Sequence, residues 1–185
     1  MTTITPIGKY PHIQVKYDET IDPTFGLTAT EALKVIDSGP LGSRMLAEIQ
    51  SAPINVVGGY KCCIMKLRGS GPAGDNDGTS CTDPCAHSNA VFQKEDDGVP
   101  GVGTASVVRW IPNQWTTPDG KRPPYIGLAH ELVHAWNNAL GTAVYDKSKN
   151  EKIVTGLLPS NNNPITENAI RAEHKIDARL AYSGV

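Results

Sequence analysis

The sequence predicts an α+β fold in which a short mixed or antiparallel sheet packs on one largely buried helix. Three observations carry it. Short alternating stretches at residues 12–17, 62–67 and 104–111 read as strands. Helical spacing recurs at residues 28–38, 41–50 and 164–176. Residues 125–140 are apolar on most sides, which suits a helix in the interior rather than on a surface.

At 185 residues and 19.8 kDa the chain is expected to form one domain spanning 1–185. With 39% hydrophobic and 19% charged residues it is neither a disordered chain nor a bundle of long charged helices. Seventeen Lys+Arg against nineteen Asp+Glu leave a net charge of -2 with no basic cluster, so no nucleic acid or anionic membrane surface is expected as a partner. No apolar run approaches the roughly 18 residues that would cross a bilayer, and the first residues lack the apolar core of a secretory signal. Membrane insertion is therefore not expected. The chain reads as cytosolic, as exported without a cleaved apolar signal, or as a domain cut from a longer chain. No oligomerisation signal stands out, so a monomer is expected.

In order along the chain, residues 12–17 form a strand, and Thr28 with Glu31 makes a capping box that opens a helix ended by Gly39 and Pro40. Leu41, Met45, Leu46 and Ile49 mark a second short helix. Residues 54–57 and 62–67 read as a hairpin turning near Gly58 and Gly59. Residues 68–103, rich in Gly, Asp, Ser and Pro, read as a long insert. Within it, Asp75 to Gly78 is a turn, since the terminal Glu and acidic spacing of a calcium loop are missing. Residues 104–111 form a strand ended by Pro112, and residues 117–120 a turn.

Cys62, Cys63, Cys81 and Cys85 do not fit a zinc ribbon, because adjacent cysteines on a strand point to opposite faces. Either a disulfide staples the insert, which needs an oxidising destination, or the four stay reduced with at least one buried.

The chemistry lies in the helix at residues 125–140, preceded by Pro123 and Pro124 and closed by Gly141. It contains His130, Glu131 and His134 as H-E-x-x-H. Residues i and i+4 share a face one turn apart, so two imidazoles can reach one tetrahedral zinc ion, and Glu131 can take a proton from water beside it. With five His and eight Glu in the chain, chance produces this pattern on the order of 0.006 times. Glu131 is the only charged residue between Pro124 and Gly141, and an isolated buried carboxylate is costly without a cation. Two core histidines bonded to backbone, with Glu131 reaching solvent, are the bland alternative.

A catalytic zinc site takes three protein ligands and leaves one position for water. Asn137 and Leu140 stand where a metzincin needs Gly and His, so the third ligand is sought later in the chain. A helix with Asn163 as N-cap and Pro164 at its first position offers Glu167 and Glu173. Glu167 is preferred, with Arg171 four residues on to brace it; His174 is an alternative ligand or a donor to the transition state. A surface pair between Glu167 and Arg171 is the plain alternative.

These residues resemble the NleD-type effector zinc metallopeptidases. The resemblance rests on Gly127 to Ala135 around the H-E-x-x-H, on Thr166 to Glu173, on Arg179 to Tyr182, and on Ser38 to Gly42 with Leu46 and Ile49. It implies a small zincin-like fold, one Zn2+ ion and an endopeptidase cutting a protein or peptide of a target cell, reached by secretion or translocation. It points to His130 and His134 as ligands, Glu131 as base and the segment from Glu167 to Arg171 as the third-ligand region. Tyr182, His174 and Arg179 are candidate donors to the oxyanion. The strand at residues 104–110 is expected to offer an open edge to an extended substrate. Two rivals are a zinc amidase acting on peptidoglycan or small amides, and a binding module whose zinc is closed by four protein ligands.

Overall fold

A computed structural model describes residues 2–67, 80–94, 98–117, 120–159 and 164–182. Strands β1 (Thr2–Ile7), β2 (Tyr10–Asp18), β3 (Cys62–Lys66), β4 (Cys81–Pro84) and β5 (Ser106–Trp110) build one sheet in the order β1-β2-β3-β5-β4. The three inner strands run parallel to one another, while β1 and β4 are antiparallel to their neighbours. Two short strands, β6 (Thr116–Thr117) and β7 (Gly120–Lys121), form a separate ribbon, and residues 118–119 of the turn expected at 117–120 lie outside the described residues. Five helices complete the α+β architecture: α1 (Phe25–Asp37), α2 (Pro40–Ser51), α3 (Pro124–Leu140), α4 (Lys147–Thr155) and α5 (Glu167–Glu173). Among the described residues no helix is long and apolar enough to cross a membrane.

The helix α1 starts a turn earlier than its sequence signal, and the capping box does not form. Thr28 Oγ1 instead donates to the Thr24 carbonyl from within the helix. Early burial of Phe25 and Ala29 outweighs the local cap. Nor do residues 54–57 form a hairpin with β3; only Val57 and Tyr60 bridge, around Gly58 and Gly59 at positive φ. Cys62, Cys63 and Ile64 are buried, so β3 takes a partner on each edge, and β2 and β5 supply them. That arrangement also leaves β5 hydrogen-bonded on both sides. Among the described residues the free edge near α3 is β4, which arises inside the segment read as an insert.

The core joins Ile13, Val15, Ile64, Val108 and Trp110 of the sheet to Leu33, Ile36, Met45 and Leu46 of α1 and α2 and to Leu128, Leu132 and Trp136 of α3. Full burial of each such side chain contributes on the order of 1.5–3 kcal/mol, enough to fix α3 between the sheet and the first two helices. Trp136 Nε1 donates to Glu48 Oε2 at 2.7 Å, anchoring α3 to α2. The four cysteines are free thiols, and burial pushes Cys63 up to about 11. Asp75 to Gly78 and Asn163 lie outside the described residues.

The tight link from α1 to α2 explains Gly39, Pro40 and Gly42. Pro40 occupies the first helical position, and Glu173 of α5 accepts from the Leu41 amide, so a carboxylate 132 residues away caps α2. A Cβ on Gly42 would overlap the Ile36 carbonyl oxygen. Gly42→Ala is therefore expected to destabilise the protein by about 1–3 kcal/mol in urea denaturation. Leu27→Ala, at an exposed position, should stay within about 0.5 kcal/mol.

Candidate functional site

Helix α3 is buried from Ile126 through Ala139, and it ends where Gly141 enters the left-handed region at φ 69. The side chains of His130, Glu131 and His134 are buried, exposed by only 2%, 4% and 7%. The two rings lie edge to face, with His130 Nε2 and His134 Nε2 3.2 Å apart. Glu151 Oε2 lies 3.1 Å from the first and 3.3 Å from the second. The three atoms thus form a nearly equilateral triangle.

Ligand atoms held tetrahedrally at 2.0–2.1 Å around zinc sit about 3.3 Å from one another. The triangle has that size, so His130, His134 and Glu151 fit three corners of a zinc site. They are also the one His/Cys/Asp/Glu group among the described residues able to share an ion. The electrostatics agree. Burial alone would lower His130, but hydrogen bonds with Glu151 and Glu167 outweigh it and bring the imidazole up to about 9. Burial raises Glu151, yet contact with both histidines holds it well below the usual carboxylate range. Positive charge is favoured where the three atoms converge.

Glu151 is a residue the sequence reading missed, and it stands where Glu167 was expected. It comes from α4, whose Asp146 caps it by accepting from the Lys149 amide at 2.7 Å. Lysines crowd this stretch, so it reads as a solvated connector. The cap followed by the buried Ile153, Val154 and Thr155 was the available signal.

Glu167 instead approaches His130 from behind. Its Oε2 is 2.8 Å from Nδ1, the nitrogen facing away from the triangle, and the residue is 0% exposed. Arg171 Nε donates to its Oε1 at 2.7 Å, and Arg179 Nη1 lies 3.5 Å from Oε2. Burial raises the carboxyl, but the hydrogen bond and charge of His130, then Arg171, outweigh it and bring it to about 2. Accepting from Nδ1–H keeps the Nε2 lone pair directed at the triangle. On His134 the Asn150 amide sits 3.2 Å from Nδ1. The helix bearing Glu167 starts later than expected because Thr166, not Asn163, caps it, with its side chain accepting from Ala169 at 3.1 Å.

Tyr182 is at the site. Its ring stacks on His130 with centroids 6.0 Å apart, and the Arg179 guanidinium lies 4.2 Å above the Tyr182 ring. Burial, then the charge and hydrogen bond of Glu151, push its phenol well above the usual value. His174 is elsewhere, packed edge to face on Tyr125 at 5.4 Å and close to Gly39. Seven residues return it to the face of Glu167 but also carry it about 10 Å along the axis, past the end of α5. Glu131, His134, Glu151 and Tyr182 line a cavity of about 440 Å³, shared with Cys81, Thr82 and Asp83 of β4 and with Phe92 and Tyr145.

The peptidase M91 family, described as an effector protein family, matches residues 13–182. The chain belongs to that family. No curated protein matches this M91 chain. Among solved structures it is similar to the botulinum neurotoxin type G light chain, at 16% identity and a TM-score of 0.45, covering 70% of this chain and 44% of that one. It is also similar to the Clostridium botulinum neurotoxin serotype F light chain, at 20% identity and 0.48, covering 70% and 39%. The catalytic domain of the serotype F toxin aligns at 19% identity and 0.49, covering 87% and 56%. The M91 chain thus spans about half the length of these structures.

The two glutamates are separable by experiment. Zinc competition against a chelator should find Glu167→Gln weakened by about 10- to 100-fold, the usual cost of losing a group that orients a ligand, and Glu151→Gln weakened further. Equal affinity for Glu151→Gln and the natural protein would remove Glu151 from the ligand set.

Proposed function

We propose that the protein is a zinc-dependent endopeptidase, an effector that acts on a polypeptide of a target cell after secretion or translocation, within a single zincin-like domain spanning residues 1–185. The observation that carries this reading is the triangle of His130, His134 and Glu151 beside Glu131, at a cavity of about 440 Å³. Membership of a peptidase family supports it.

His130 and His134 of α3 and Glu151 of α4 would hold one Zn2+ ion. When bound, the ion supplies a Lewis acid that acidifies water and polarises the scissile carbonyl. Glu131 accepts the proton of the attacking water and passes it to the leaving amine. Tyr182 is the donor to the developing oxyanion, held in place by its stack on His130 and by Arg179 over its ring. Glu167 keeps His130 in the tautomer and orientation a ligand needs. His174 has no part in this scheme.

The substrate strand is placed on β4 rather than on β5. Residues 81–84 line the cavity, and among the described residues their outer edge faces no other strand of the sheet. An extended peptide added there would run past Glu131 with its backbone hydrogen-bonded to the strand. A small amide would not need such an edge, which favours the endopeptidase over the amidase. A binding module would need a fourth protein ligand, and among the described residues none joins the three.

Incubating zinc-loaded protein with a cell proteome and sequencing the new N-termini is expected to reveal discrete cleavage. Glu131→Gln should abolish it while still binding zinc, a loss of at least about 100-fold. Tyr182→Phe should lower kcat by about 100- to 1,000-fold, the usual cost of an oxyanion donor. Cleavage by Glu131→Gln at the natural rate would refute the role of the base, and absence of any new N-terminus would count against the peptidase.

A further inference from the structure

The geometry points to Thr82 as a positioning residue for the catalytic base: from the strand that presents the substrate, its hydroxyl holds Glu131 Oε2 and leaves Oε1 to face the water. In its kinetic half this rests on the endopeptidase reading. Its structural half does not.

Thr82 Oγ1 lies 2.8 Å from Glu131 Oε2 and 2.9 Å from the Glu131 carbonyl oxygen. Among the described residues it is the only side chain hydrogen-bonded to that carboxylate. One hydroxyl carries one proton. The Glu131 carbonyl lies inside α3 and already accepts within the helix, whereas Oε2 has no other side-chain donor among the described residues, so the proton goes to Oε2. Accepting that bond occupies one carboxylate oxygen and orients the other.

Thr82 suits the task for two reasons. A threonine has few χ1 options on a strand, so its hydroxyl is a rigid peg, whereas an unheld Glu samples many rotamers. The backbone of Thr82 is also fixed, because β4 pairs with β5 in a register that sets Thr82 against Val108. The neighbours Cys81 and Asp83 line the same cavity. One strand thereby aligns the peptide and aims the base, so a displacement of β4 would upset both together.

A merely structural bond would tie β4 to α3 through the Glu131 carbonyl and would not depend on the carboxylate. Kinetics and crystallography of Thr82→Val, Thr82→Ser and the double variant Thr82→Val/Glu131→Gln separate the two roles. Thr82→Val keeps the shape and loses the hydroxyl. It is expected to lower kcat by about 10- to 100-fold, with KM within about twofold and with zinc affinity and thermal midpoint close to those of the natural protein. Thr82→Ser should recover kcat to within about threefold. In the Glu131→Gln background Thr82→Val should cost nothing more, because its effect passes through Glu131. In the crystal of Thr82→Val the Glu131 carboxylate should leave the position it holds in the natural protein. The proposal is overturned by an unchanged kcat in Thr82→Val, by an equal loss with and without Glu131, or by an unmoved Glu131 carboxylate. If the natural protein cleaves nothing, the endopeptidase reading fails by itself and the Glu131 position still decides for or against Thr82.

Discussion

The structure depends on a buried carboxylate. Glu167 is sealed from solvent, and it meets His130 of α3, Arg171 of its own helix and Arg179 of the C-terminal segment. An ionised group in such a place is tolerated only when its lone pairs are met by donors or cations, and removing one partner from such a network typically costs about 3–5 kcal/mol. The same contacts order the site. The bond to Nδ1 turns His130 and ties α5 to α3, Arg171 braces the carboxylate from within α5, and the approach of Arg179 brings Tyr182 onto the His130 ring. Stability and active-site geometry are therefore not separate properties at this residue.

Around that centre, each potential ligand is held from behind. Glu167 stands at Nδ1 of His130 and Asn150 at Nδ1 of His134, while Glu151 rides on a helix fixed by its own cap. The apolar surround of α3 contributes the rest: with Leu128, Leu132, Val133 and Trp136 packed, the histidines have few other rotamers to adopt. Such a frame lowers the entropic cost of gathering three ligand atoms beside the cavity that His134 and Glu151 line.

Much of this was legible in the chain. The H-E-x-x-H pattern and its apolar surround located α3, and the strands at residues 12–17 and 104–111 appear as β2 and β5. Glu167 and Tyr182 stand out in the sequence, and both reach His130. What escaped was long-range. Spacing along a helix tells which face a residue shares, but not which of two imidazole nitrogens a carboxylate approaches, so sequence alone does not tell a ligand from a carboxylate behind His130. Glu151 was hidden because a short helix rich in lysine has little amphipathic signature, and its position is set by packing against α3. Pairing was equally opaque at β3: Gly58 and Gly59 suggested a local hairpin, whereas burial of β3 on both faces selected partners distant in the chain. The edge strand β4 arose from a segment with almost no periodic signal.

The bond from the Leu41 amide to Glu173 joins two points 132 residues apart. Helix α2 thus obtains its cap from α5, and Arg179 and Tyr182 follow six and nine residues after Glu173. Contacts of such sequence separation form late, since the intervening chain must first be brought together. A chain folding as it is synthesised accordingly cannot cap α2 or seat Tyr182 on His130 until residues 167–182 have emerged, so the site is completed among the last steps of folding.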